Sequence, residues 1–204
     1  FPDSFLGAMQ TLEYLRAFLE RQGWDYFGGN VCVSGAFSVI KTKIFITAGG
    51  YIDSIAQDME IIMRLHRIMK KINKPYRIMY LPDPAAWTDG PDTLKMLKYQ
   101  RANWHRGMLD SIYLHKGVFL NPRYGFFGLF TFPFWVWGEA IEPLVEFLGY
   151  FVVIFGLLFG LTDAKFVALF LLVTWGYTFL FTIFCILIED FSFRKYKSLK
   201  TVFI

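Results

Sequence analysis

Apolar residues recur at helical spacing from the start of the chain. Phe5, Met9, Leu12, Leu15 and Leu19 fall three or four apart, with Glu13, Arg16, Glu20 and Arg21 between them. The spacing predicts an amphipathic helix over 3–22, capped by Asp3 or Ser4 and ended by Gly23. The pattern then changes. Residues 30–40, NVCVSGAFSVI, are β-rich and uncharged, which predicts a buried strand. Gly35 interrupts it where backbone can approach a ligand. KTKIFITAGG, ending at Gly50, reads as a helical turn closed by two glycines. Helical spacing returns over 55–73. Ile61, Ile62, Leu65, Ile68, Met69 and Ile72 form its stripe. Asp58 and Glu60 in the first turn, with Arg67, Lys70 and Lys71 in the last, complement the helix dipole. Pro75 stops it. YRIMYL (76–81) predicts a second strand, and Pro82 and Pro84 a loop. Pro91 then opens a helix at its favoured first position, running to about Lys116.

Three apolar stretches follow. The first, 126–138, is short and contains Pro133. The second, 144–161, reaches spanning length if extended back through Ala140. The third, 166–188, has 23 residues and no charge, as a transmembrane helix requires. The loop between the last two, TDAK, is short. Beyond them, 189–204 carries Arg194, Lys195, Lys197 and Lys200, a basic flank that favours the cytoplasm. With spans at about 141–161 and 166–188, the first part and the basic tail lie on one side. Residues 126–138 are then interfacial or re-entrant, with Trp135 and Trp137 at headgroup depth.

Composition agrees with a membrane assignment. Hydrophobic residues make up 55 % of the chain and aromatics 20 %, against about 45–50 % apolar in soluble domains. The net charge of +4 suits an anionic membrane surface or phosphate-bearing ligands. Nucleic acid is not expected, because no Lys/Arg cluster is interleaved with aromatics. Cys32 and Cys185 read as small apolar residues rather than a disulfide or metal pair. His66 reads as an exposed or partly buried helix residue, and His105 and His115 lack metal partners at suitable spacing. The opening at Phe1 reads as mid-protein sequence, so the chain is expected to be a fragment.

Two places carry candidate chemistry. Asp58 opens a helix just after a Gly-Gly loop. The positive helix end favours a carboxylate there, and a carboxylate at the mouth of a fold can take the proton of an attacking hydroxyl. Acidic residues also occupy first turns simply as dipole partners. The second place is QRANWHRG, which begins at Gln100. On a helix Gln100 and Trp104 share a face, with Arg101 three residues from the indole. Amide and indole suit the hydroxyl rim and C–H face of a sugar. Arg101 or Arg106 suits a diphosphate through paired hydrogen bonds. An interfacial helix with Trp104 and its arginines at the headgroup boundary is the other reading.

The series SGAF, GGY, QDME…RLHR, QRANWHRG and NPRYG, followed by apolar helices, resembles the family 2 membrane glycosyltransferases of the cellulose, chitin and hyaluronan synthase type. It covers the chain from Phe1 past Tyr124. The resemblance implies an α/β fold: the second half of a nucleotide-diphospho-sugar transferase domain over 1–125, then interfacial and transmembrane helices. It implies an inverting hexosyltransferase, using a nucleotide-sugar donor and a saccharide acceptor at the cytoplasmic membrane face, in polysaccharide synthesis. Transfer of one sugar to a lipid-linked acceptor and a non-catalytic scaffold keeping the fold are the alternatives. Asp58 matches the general base. Gln100, Arg101 and Trp104 match the motif binding acceptor and donor diphosphate, with Arg106 beside it. Ser34, Gly35 and Ala36 match the segment lining the acceptor side. The family uses Mg²⁺ or Mn²⁺, whose Asp-x-Asp ligands are expected before Phe1. No metal site is expected in this sequence, nor activity without the part carrying that motif. Gln57 stands where the family often has Glu, and Asn103 where its second motif has Arg.

Overall fold

The computed structural model describes residues 4–193 apart from 34, 36, 84, 85 and 87. The basic tail from Arg194 lies outside the described residues. The chain divides into two compact units at 140/141.

In the first unit, α1 runs Phe5–Tyr26, α2 Thr42–Thr47, α3 Gln57–Lys71 and α4 Leu94–Leu114. A further helical segment, α5, covers Phe127–Ala140. Ser4 caps α1 by accepting from Gly7 N at 3.0 Å. The helix passes through Gly23 and stops at Gly28 instead. There a φ of +66° lets Gly28 and Gly29 N donate back to Asp25 and Trp24 carbonyls. Helix α4 starts three residues after Pro91, because Thr93 caps it through Met96 N. In α5, Pro133 has no N–H to give, and widened π-helical turns flank it at Phe127–Thr131 and Trp135–Ala140.

The α/β expectation is overturned: no strand or ladder occurs among the described residues. The two β-rich segments run as connections, 76–81 throughout and 30–40 over its described residues. A strand needs a neighbouring backbone to bond, and these find side chains instead. Asn30 O accepts from His66 Nε2 at 2.9 Å, and Tyr80 N donates to Asp25 Oδ2 at 3.2 Å.

Helix α3 is the centre of this unit and is buried on more than its predicted stripe. On one side Met59 and Met63 pack with Val31, Met108, Val118, Phe127, Phe132 and Trp135. On the other, Ile61, Ile62 and Leu65 pack with Ala48 and the half-buried Val33, Ile44 and Ile78. Ile72, at the end of the stripe, is exposed. Trp135 thus belongs to the core, while Trp137 is exposed.

The second unit holds α6, Glu142–Leu158, and α7, Ala164–Ile188. Their side chains are overwhelmingly apolar and exposed. Among the described residues one helix, Ala164–Ser192, is long and apolar enough to cross a membrane. The 17 residues of α6 reach that length only together with α5. Thr174, Thr178 and Thr182 each bond the carbonyl four residues back, at 2.8–3.0 Å, so the apolar helix carries hydroxyls without stranding them.

His66 is buried rather than exposed. Its Nε2–H donates to Asn30 O, its Nδ1 accepts the Tyr76 hydroxyl at 2.6 Å, and its ring stacks on Phe127 at 4.2 Å. Burial pushes His66 down to about 4, with the nearby Lys70 charge acting in the same direction, and pushes Tyr76 up to about 12. Above the unfolded value of 6.5 both states hold a neutral imidazole and the stability is complete. As pH falls from 6.5 towards about 4, only the unfolded chain gains the proton. Stability then drops by about 1.4 kcal/mol per pH unit, about 3 kcal/mol in all. Chemical unfolding in detergent at pH 7 and pH 4 is expected to show this loss in the wild type. His66→Gln should lose less, with a difference on the order of 2 kcal/mol.

Candidate functional site

The mouth of α3 and the middle of α4 meet through small residues. Gly107 on α4 lies against Ala56, the residue capping α3; a Cβ on Gly107 would stand 2.8 Å from the Ala56 nitrogen. On α4, Trp104 is three residues and Gln100 seven residues before Gly107, so all three share one face. That face therefore passes the α3 mouth, where Asp58 stands two residues beyond Ala56.

Asp58 is half-buried. Its Oδ1 accepts from Met59 N at 2.9 Å. Its Oδ2 faces Gly35, 2.9 Å from where a Cβ on that glycine would sit. Ser34 and Ala36, the flanking predicted residues, lie outside the described residues. Arg21 donates to Cys32 Sγ at 3.4 Å beside this carboxylate. Burial pushes the Cys32 thiol up, Arg21 opposes this and Asp58 adds to it.

Arg101 is not an open fork. Its Nη1 and Nη2 hold Glu13 Oε1 and Oε2 of α1 at 2.6 and 2.7 Å. The same guanidinium lies 4.6 Å from the Trp104 ring and 6.0 Å from Tyr14. Trp104 keeps about half its surface, at 48 %. Arg106 is exposed and, one residue from Gly107, is turned about 100° off the shared face. Gln100 is half-buried, and its Oε1 is shielded from water without a hydrogen-bond partner.

Behind Asp58 lies a buried charge network. Glu60, 1 % exposed, accepts from Arg64 Nη2 at 2.7 Å and from His115 Nε2 at 3.1 Å. Arg67 donates to His115 Nδ1 at 3.2 Å, which fixes the hydrogen on Nε2. Arg64 also holds the Ala48 and Gly50 carbonyls at 2.8 and 2.7 Å. Sequence reasoning placed Glu60 only as a dipole partner. It did not find Glu13 or the role of His115, since those contacts span 88 and 55 residues.

A family model described as glycosyl transferase family group 2 matches residues 3–188. The chain belongs to that family. No curated protein and no solved structure matches it. A family 2 glycosyltransferase moves a sugar from a nucleotide-sugar donor to an acceptor. Among the described residues of this glycosyltransferase no three His, Cys, Asp or Glu side chains converge to hold a metal ion. Those residues by themselves do not hold the Mg²⁺ or Mn²⁺ implied by the resemblance, whose ligands it puts in an Asp-x-Asp motif that this sequence lacks.

The approach of Gly35 to Asp58 gives a direct check on this glycosyltransferase. Gly35→Ala puts a methyl against the carboxylate and is expected to lower turnover about tenfold or more. Gly23→Ala, with nothing within 4 Å of the new methyl, is expected to leave it unchanged. Nucleoside diphosphate release from membranes carrying each variant measures both.

Proposed function

We propose that this glycosyltransferase performs inverting transfer of a hexose from a nucleotide-sugar to a saccharide acceptor at the cytoplasmic face of a membrane, in polysaccharide synthesis. The observation that supports this best is the carboxylate of Asp58. It stands at the mouth of α3, one oxygen tied to its own helix and the other turned to the Gly35 backbone. On α4, Gln100 and Trp104 share the face of Gly107, which rests on Ala56 at the start of α3.

The chemistry balances with one base. The acceptor hydroxyl oxygen attacks the anomeric carbon as Asp58 takes its proton. The bond from that carbon to the diphosphate oxygen breaks, and the nucleoside diphosphate leaves with the electron pair from the opposite face. Trp104 offers its half-exposed indole to the C–H face of the acceptor, and Gln100 its amide to the hydroxyls. Arg106 offers an exposed guanidinium to the diphosphate. Gly35, against the Asp58 carboxylate, lines the acceptor side. Helix α7, about 37 Å long, exceeds the roughly 30 Å of bilayer hydrocarbon and supports a membrane location.

Membranes carrying the intact protein are to be incubated with a panel of nucleotide-sugars. Asp58→Asn should lose nearly all nucleoside diphosphate release, by a factor of about 10² or more, while still binding donor. Equal turnover in both forms would remove Asp58 as the base. Trp104→Ala should raise the acceptor KM about tenfold with little change in donor binding, about the size of one lost aromatic contact. An unchanged acceptor KM would contradict its role.

A further inference from the structure

Gln100 has a second environment besides the indole. It lines a groove of about 680 Å³ at the first turns of α4. Lys95, Met96 and Tyr99 share one face there, and Asp89 and Asp92 come from the connection leading into the helix.

The lining is rich in hydrogen-bond acceptors. Two carboxylates stand against one ammonium. Gln100 Oε1 is shielded from water and unpaired. Gln10 of α1, only 4 % exposed, stands behind the wall. Its Nε2 donates to Pro91 O at 3.0 Å, and its unpaired Oε1 faces Gly90, 3.0 Å from where a Cβ would stand on that glycine. Both Gly90 and Pro91 belong to the groove. The apolar lining is open: Tyr99 is 73 % exposed and Met96 54 %.

We propose that this groove is a binding subsite for a neutral saccharide, the chain that accepts the transferred sugar. The proposal rests on the glycosyl-transfer reading and extends it from Trp104 along α4. Hydroxyl groups give the hydrogens that the two carboxylates and the stranded Gln100 carbonyl take. The phenol ring of Tyr99 meets a sugar's C–H face. A diphosphate brings only more acceptors and negative charge, so the donor does not belong here. From Lys95 to Trp104 the helix rises about 13 Å, room for more than one sugar ring. This favours a saccharide chain over a single sugar placed on a lipid.

The intact protein in detergent is to be titrated with neutral tetrasaccharides of glucose, mannose and N-acetylglucosamine, and separately with uridine diphosphate, by calorimetry and saturation-transfer NMR. At least one tetrasaccharide should bind. Tyr99→Ala and Asp92→Asn, both at exposed positions that leave the fold intact, should weaken it about tenfold and leave uridine diphosphate unaffected. Binding of no tetrasaccharide, affinity unchanged in both variants, or equal weakening of uridine diphosphate would overturn the proposal. Asp58→Asn separates the two readings. If it abolishes turnover while Tyr99→Ala leaves tetrasaccharide affinity intact, the groove falls and the transfer mechanism stands. If it keeps turnover while Tyr99→Ala loses the tetrasaccharide, the base falls and the groove stands.

Discussion

The buried carboxylate of Glu60 holds the first unit together. It is almost wholly removed from water, and a lone charge there would be prohibitive. Arg64 and His115 answer it from two directions. Arg64 carries the interaction into the Gly49–Gly50 turn, where both glycines have positive φ and the Ala48 and Gly50 carbonyls accept from the guanidinium. His115 carries it to the end of α4, with Arg67 fixing the imidazole. One acid thus ties the loop before α3, the helix itself and the end of α4. Breaking such a buried pair by removing one partner typically costs about 3–5 kcal/mol, since the other charge remains.

Around that network α3 acts as a spine. Its aliphatic side faces α2 and the neighbouring connections, while its methionines face α4 and α5. His66 adds a polar fixing point on the same helix, where connection 30–33 would otherwise leave the Asn30 carbonyl unanswered. The carboxylate of Asp58 is therefore mounted on the most constrained helix of the unit. Trp104 is steadied differently, by an arginine clamped to Glu13 and laid along the indole. A fixed carboxylate and a braced aromatic surface suit chemistry that needs preset geometry.

Local patterns in the sequence located most helices, and long-range contacts determined what they failed to show. The period of Ile61, Leu65 and Met69 and the flanking charges placed α3 within two residues at each end. The uncharged run after 165 placed α7 equally well. Gly23 misled because a glycine mid-helix costs only about 1 kcal/mol, whereas Gly28 supplies the positive φ the stop requires. The strands failed because β-rich composition states a preference for a pleated surface, and no neighbouring strand occurs among the described residues. Asp58, Gln100, Arg101 and Trp104 could be named from motif order. That Arg101 is held by Glu13 depends on α1 lying beside α4, which no local spacing encodes.

The contact of Gly107 with Ala56 has a consequence for how such an enzyme can change its specificity. Main chain rests directly on small side chain and main chain there, so the separation between the two helices is indifferent to which large residues surround it. Under the proposed mechanism, side chains one and two turns away can be exchanged for others that read a different sugar, while the distance from that surface to the Asp58 carboxylate stays constant. Recognition can drift under selection without the reacting geometry having to be rebuilt.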